Sequence, residues 1–105
     1  MDDILEALRK IHHFTNGLTF EQFSTDEKTV DAVARNLEVI GEAVKNVPDE
    51  LHRKQPGIPW RKIADFGNVL RHAYFAVDPD IVWRIARDDL IPLRQALLSL
   101  RQSLD

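Results

Sequence analysis

Val30, Val33, Leu37, Ile40, Val44 and Val47 recur at alternating steps of three and four. That spacing puts them on one stripe of an α-helix and packs nearly parallel helix axes together. No other pattern in the chain is as regular, and it commits the middle of the molecule to a helix that buries a full face. Pro48 ends it. Ser24 and Glu27 have the spacing of a capping box, which predicts that the helix starts there. Ala34, Gly41 and Ala43 flank the stripe. Glycine costs about 1 kcal/mol against alanine inside a helix, so a close backbone approach at Gly41 is expected to compensate. The same face would equally suit a second copy of the chain, whose added burial helps a small domain.

Helical periodicity continues on both sides. Ile4, Leu8, Ile11, Phe14 and Leu18 share one stripe of a first helix over residues 2–17, and Asp2 and Asp3 suit its positive N-terminal end. Thr19 to Phe23 reads as a short turn, and 49–55 as a polar helical turn. Pro56-Gly57-Ile58-Pro59 is a loop with Pro59 suited to the first helical position. The next helix runs from Trp60 towards Tyr74, with Ile63, Phe66, Leu70 and Ala73 facing the core. Asp78-Pro79-Asp80 then caps a final helix with the stripe Val82, Ala86, Leu90, Leu93, Leu97, Leu100 and Leu104. Pro92 removes one backbone hydrogen bond from it, which predicts a kink near Asp88 and Asp89. Short connections join antiparallel neighbours, so the expected fold is an all-α antiparallel bundle of four main helices plus short helical turns, forming one domain over residues 1–105.

Composition narrows the chemistry. The 105 residues are 44% hydrophobic and 30% charged, enough for one core but not two. No apolar run reaches the roughly 20 residues a membrane span needs, and the acidic start lacks the marks of a signal peptide, so a cytoplasmic protein without membrane attachment is expected. With no cysteine there is no disulfide framework, thiolate metal site or thiol nucleophile. Net charge is −3, but residues 1–52 hold five Lys/Arg against eleven acids and residues 53–105 nine against six. Anion binding therefore belongs to the second half, on a scale of a few phosphate contacts, because dedicated duplex binders are far more basic.

Only imidazole titrates near neutral pH without a shifted pKa, so the four histidines come first. His12 and His13 point about 100° apart on a helix and cannot share a ligand on one face. His52 sits in a polar, charged turn. His72 lies in Gly67-Asn68-Val69-Leu70-Arg71-His72-Ala73-Tyr74, where amide, guanidinium, imidazole and phenol crowd together. Asn68 and His72 are four apart and share a face, which lets the amide orient the imidazole. Two readings stay open: an anion-handling cluster, or a structural one in which Arg71 pairs with Asp65 or Asp78 while His72 and Tyr74 fill the rim of the core.

Three spaced stretches carry a family resemblance. Ala32 to Ala43 (AVARNLEVIGEA), Ile58 to Ala64 (IPWRKIA), and Arg71 to Phe75 followed by Val77 to Trp83 (RHAYF, VDPDIVW) resemble, in this order, the HepT-like family of HEPN domains. The resemblance implies a helical bundle that homodimerises and acts as a metal-independent endoribonuclease toxin of a type VII toxin-antitoxin system, with no cofactor. It implies as partners an RNA substrate and a cognate nucleotidyltransferase antitoxin, which transfers AMP from ATP to the tyrosine of a motif made of arginine, four residues, histidine, any residue and tyrosine. His72 and Tyr74 match that motif. Gly67 stands where its arginine would be.

Cleaving RNA without metal takes a group to accept the 2′-hydroxyl proton, a group to protonate the leaving oxygen, and a cation for the charge growing on phosphate. His72 serves as acid or base. Arg71 is one helical turn from position 67 and leans back towards it, so it is the expected substitute for the missing guanidinium, with Gly67 leaving room for it or for the RNA backbone. The expected catalytic set is His72, Arg71 and Asn68, with Tyr74 as the AMP acceptor. Two other readings compete with the toxin: a catalytically inactive HEPN subunit that binds the nucleotidyltransferase, and a plain dimeric helical module.

Overall fold

The computed structural model describes residues 2–72 and 78–104, with side chains as far as Gln102. Within them lie α1 (Asp2–Thr15), α2 (Phe20–Ser24), α3 (Glu27–Lys45), α4 (Asp49–Lys54), α5 (Trp60–Arg71), α6 (Pro79–Asp88) and α7 (Leu90–Leu104), and no strand. The central helix starts differently from the sequence expectation. Its cap is Asp26, whose carboxylate accepts from the Thr29 backbone N–H at 3.3 Å and from the Thr29 hydroxyl at 2.8 Å. The capping box lies one element earlier, where Thr19 and Gln22 bond each other's backbone N–H and start α2. Ser24 instead donates to the Glu21 carbonyl within α2.

The stripe that defines α3 is buried along its whole length, with Val33 and Ile40 fully inaccessible. It packs against α1 on one side and α5 on the other, so this face is consumed within one chain and is not available to a second copy. Ile4, Leu8 and Ile11 complete the core from α1, and Ile63 and Leu70 from α5. Phe66 and Trp60 are only partly covered. The residues of α4 form a true helix without a buried side chain. Pro59 stands just outside α5 as its N-cap, not inside it.

The kink expected near Asp88 and Asp89 is a break between α6 and α7. Pro92 has no N–H to offer the Asp88 carbonyl, and the ladder resumes with Leu93 donating to Asp89 at 3.3 Å. The Asp89 carboxylate, mostly covered, is held by Lys62 of α5 at 3.1 Å. Asp78 caps α6 through the Asp80 N–H at 2.9 Å, with Pro79 in the first turn. The break lets α6 lie on α2 while α7 runs beside α1. Phe23 of α2, fully buried, meets Trp83 of α6 at 5.0 Å between ring centroids.

Gly41 of α3 and Gly67 of α5 meet where these two helices are closest. A Cβ on Gly41 would stand 2.7 Å from the Gly67 Cα, and one on Gly67 would stand 2.8 Å from the Gly41 Cα. Those distances forbid any side chain, because the obstructing atoms are backbone. Beside this contact Glu42 of α3 meets Arg71 of α5 while Lys45 meets Asn68, a reversed order that makes the helices antiparallel. Alanine at either position would gain about 1 kcal/mol of helix propensity but would push the helices apart. Gly41→Ala and Gly67→Ala are therefore each expected to lose a net 1–3 kcal/mol or so, read as a lower urea midpoint at unchanged slope. The Thr29 hydroxyl and then the Thr29 backbone N–H hold the Asp26 carboxyl below its ordinary value. A depressed carboxylate stabilises the fold above its unfolded-state pKa and loses that contribution as pH falls through the folded value. The stability gap between the parent and Asp26→Ala should thus be open at neutral pH and close in acid, as urea titrations across pH would show.

Candidate active site

Helix α5 delivers the chemistry-bearing residues at its C-terminal end, where Asn68, Arg71 and His72 follow the glycine contact. The His72 backbone N–H donates to the Asn68 carbonyl at 3.2 Å, closing the helix, and the side chains of Arg71 and His72 are exposed. The negative end of the helix dipole favours cations in this last turn. Arg71 does not pair with Asp65 or Asp78. Its Nη1 reaches back across the helix crossing to Oε2 of Glu42 on α3, 3.4 Å away. Asp65 lies 3.9 Å from Arg61, and Asp78 is the cap of α6.

Gly67 is buried and its Cα–H face is spent on Gly41, so it leaves room for neither Arg71 nor an RNA backbone. Arg71 does share the α3-facing side of α5 with position 67, and it emerges just beyond the contact. Asn68 also differs from expectation: its Oδ1 accepts from Lys45 Nζ of α3 at 2.7 Å, leaving the His72 ring unassisted by that oxygen. Lys45 Nζ stands 3.3 Å from the same Glu42 Oε2 that faces Arg71. The cluster is thus Arg71, Asn68, Glu42 and Lys45, drawn from two helices, with His72 next in the chain. Glu42 and Lys45 were missed because, three apart on one helix, they read as an ordinary surface ion pair; the only sequence signal was their place beside Gly41.

A groove of 420 Å³ opens beside Arg71, bounded by Asp3 of α1, by Arg35, Glu38 and Glu42 of α3, and by Asn46 just after α3. Its carboxylates are matched in part, Glu38 by Arg35 at 3.0 Å and Glu42 by Arg71. A larger groove of 760 Å³ between α1 and α7 contains none of the motif residues. Tyr74 lies outside the described residues. His52 has a structural place: its Nε2 is 3.0 Å from the Val44 carbonyl near the end of α3, and its ring stacks on Trp60 at 4.7 Å. Among the described residues no three His, Asp or Glu side chains converge as a metal ion would need, and no helix is long and apolar enough to cross a membrane.

The family described as "Ribonuclease HepT-like" matches residues 4–100. The chain belongs to this HepT-like family. Among its relatives, a protein of Thermococcus cleftensis named "Probable ribonuclease HepT" is 43% identical over 102 residues, covering 97% of this chain and 93% of its own. A "Putative RNase" of Methanocaldococcus jannaschii is 48% identical over 83 residues, 79% of this chain and 69% of its own. A further "Putative RNase", of Caldanaerobacter subterraneus, is 33% identical over 102 residues, 97% and 91% of the two chains. No solved structure matches the chain.

This HepT-like chain has spent its motif-arginine position on helix packing. Gly67→Arg is therefore expected to lower the melting temperature further than Gly67→Ala does, because a long side chain would have to leave through the α3 backbone. Circular dichroism melts of the parent and both variants check the order.

Proposed function

We propose that this chain is a metal-independent endoribonuclease and the toxin of a type VII toxin-antitoxin pair, in which His72 moves the proton and Arg71 holds the phosphate. The observation that carries the reading is that Arg71 and His72, consecutive residues at the end of α5, both have exposed side chains, in a chain whose relatives bear ribonuclease names. In the reaction the 2′-oxygen attacks the adjacent phosphorus, its proton passes to a base, the bond to the 5′-oxygen breaks, and that oxygen takes a proton from an acid. Arg71 offers a planar fork of donors to the phosphate oxygens as charge builds up on them.

Each chain has one such imidazole, while the reaction needs one proton acceptor and one donor. A homodimer that brings two copies of His72 to one RNA supplies both, and its contact must use a face other than the buried stripe of α3. Control by the partner nucleotidyltransferase follows from Tyr74, two residues beyond His72: its phenolic oxygen attacks the α-phosphorus of ATP, pyrophosphate leaves, and the added AMP keeps RNA out by bulk and negative charge. Asn68 is a positioning residue in this scheme, holding Lys45 with its amide and His72 with its backbone carbonyl. The working place of such a pair is the cytoplasm.

One observation favours a second reading, an inactive HEPN subunit that binds the nucleotidyltransferase. The position of the family's motif arginine is filled by a glycine packed on another glycine. The two readings separate in one assay. With single-stranded RNA in EDTA, the toxin reading expects cleavage by the parent and a loss of at least about 100-fold in His72→Ala, the usual weight of a general acid or base. Parent protein that leaves RNA intact yet binds the nucleotidyltransferase in a defined ratio supports the second. Intact mass after incubation with the partner and ATP should rise by adenylyl units in the parent and not in Tyr74→Phe.

A further inference from the structure

The Glu42 carboxylate is an oxyanion already sitting where two cations converge. Arg71 Nη1 and Lys45 Nζ approach one and the same oxygen, Oε2, at 3.4 and 3.3 Å, from different helices. The Asn68 amide, one turn before His72 on α5, holds Lys45 from the far side at 2.7 Å. Such convergence does not arise from either helix alone. It depends on the Gly41–Gly67 contact, which brings the flanking positions 42 and 45 of α3 against 68 and 71 of α5. An arginine at position 67 would separate the helices and take the lysine away from α5.

We infer that Lys45 is a second phosphate-binding cation of this site and that Glu42 is its resident counter-ion, displaced when an RNA phosphate enters between Lys45 and Arg71. The inference rests on the ribonuclease reading above and names a residue that the motif does not contain. An RNA phosphodiester presents, as the Glu42 carboxylate does, one negative charge shared by two oxygens, so it can take the same place between both cations, and the charge that builds up on it during cleavage tightens its hold on them. Lys45 suits the task. Its side chain is 36% exposed, against 61% for Arg71, so its ammonium is restrained before RNA arrives and loses less freedom on binding. Glu42 at the same time keeps two cations from repelling each other in the free protein. An ordinary surface ion pair would not explain the bond to Asn68, 23 residues away on another helix.

The test is RNA binding by a fluorescein-labelled single-stranded oligonucleotide in EDTA, with His72→Ala as a common background to prevent cleavage, followed by anisotropy across a salt series. Lys45→Gln should weaken binding about tenfold, the scale of one charge-assisted contact. It should also reduce the slope of log affinity against log salt by about 0.7, the share of one phosphate contact on a single strand. Lys45→Arg should restore both, and Glu42→Gln should bind several-fold more tightly than the background protein. A structural lysine would move neither the slope nor the Glu42 response. Unchanged affinity and slope in Lys45→Gln overturn the inference, even where the otherwise unmodified chain cleaves RNA and His72→Ala does not. A background protein that binds no RNA overturns the inference; cleavage by the parent then leaves the ribonuclease reading standing, and RNA left intact by the parent overturns that reading as well.

Discussion

Where α3 crosses α5 the two backbones touch through Gly41 and Gly67, and the spacing of the candidate site is set by that touch. Helix axes usually stand 8–10 Å apart because side chains keep them there. Removing a Cβ from each partner at the same level lets the axes approach, and the positions just beyond the glycines are then forced to face one another. The glycine of α3 lowers local helix propensity, and so does the glycine of α5. Neither cost makes sense at one helix alone; together they are offset by the dispersion contacts of two close backbones.

The electrostatics follow from that geometry. The ion pairs of Arg71 and Lys45 with Glu42 involve side chains between 36% and 61% exposed, so water and salt screen them and they add little to folding stability. Weakness of this sort is what the proposed exchange of Glu42 for a phosphate requires. The burial that holds the bundle together is elsewhere, in the α3 stripe and its contacts with α1 and α5, so opening the charge cluster leaves the core untouched. The His52–Trp60 stack and the bond between His52 and the Val44 carbonyl tie α4 to both α3 and α5.

Much of the bundle was legible because burial imposes a period. The stripe from Val30 to Val47 and the cap Asp78-Pro79 could be read directly, and Pro92 marked the break after Asp88, since a missing N–H acts locally. The start of α3 was misread because Thr19/Gln22 and Ser24/Glu27 both satisfy the capping-box spacing, and Asp26 won with a single side chain bonding both groups of Thr29. The exclusively internal use of the α3 stripe was also hidden, because its spacing serves a neighbour in the same chain and a second chain equally well. At the candidate site, His72 stood out by chemical type and by the family motif, and Arg71 by chemical type alone. Gly67 did not reveal its purpose, since an empty position and a helix-to-helix contact look alike in one dimension. Lys45 and Glu42 were concealed for the same reason: the pairings that matter, 45 with 68 and 42 with 71, are properties of a crossing.

The elbow at Asp89 gives the chain a way to close on itself. A single straight rod from Pro79 to Leu104 could not cover α2 and also lie along α1, whereas two segments meeting at a corner can, with Lys62 fastening that corner to α5. The last helix therefore runs beside the first with the 760 Å³ groove between them, and Arg101 stands 3.9 Å from Asp2. During synthesis α1 leaves the ribosome long before α7 does, so the walls of this groove come together only after α7 has been translated.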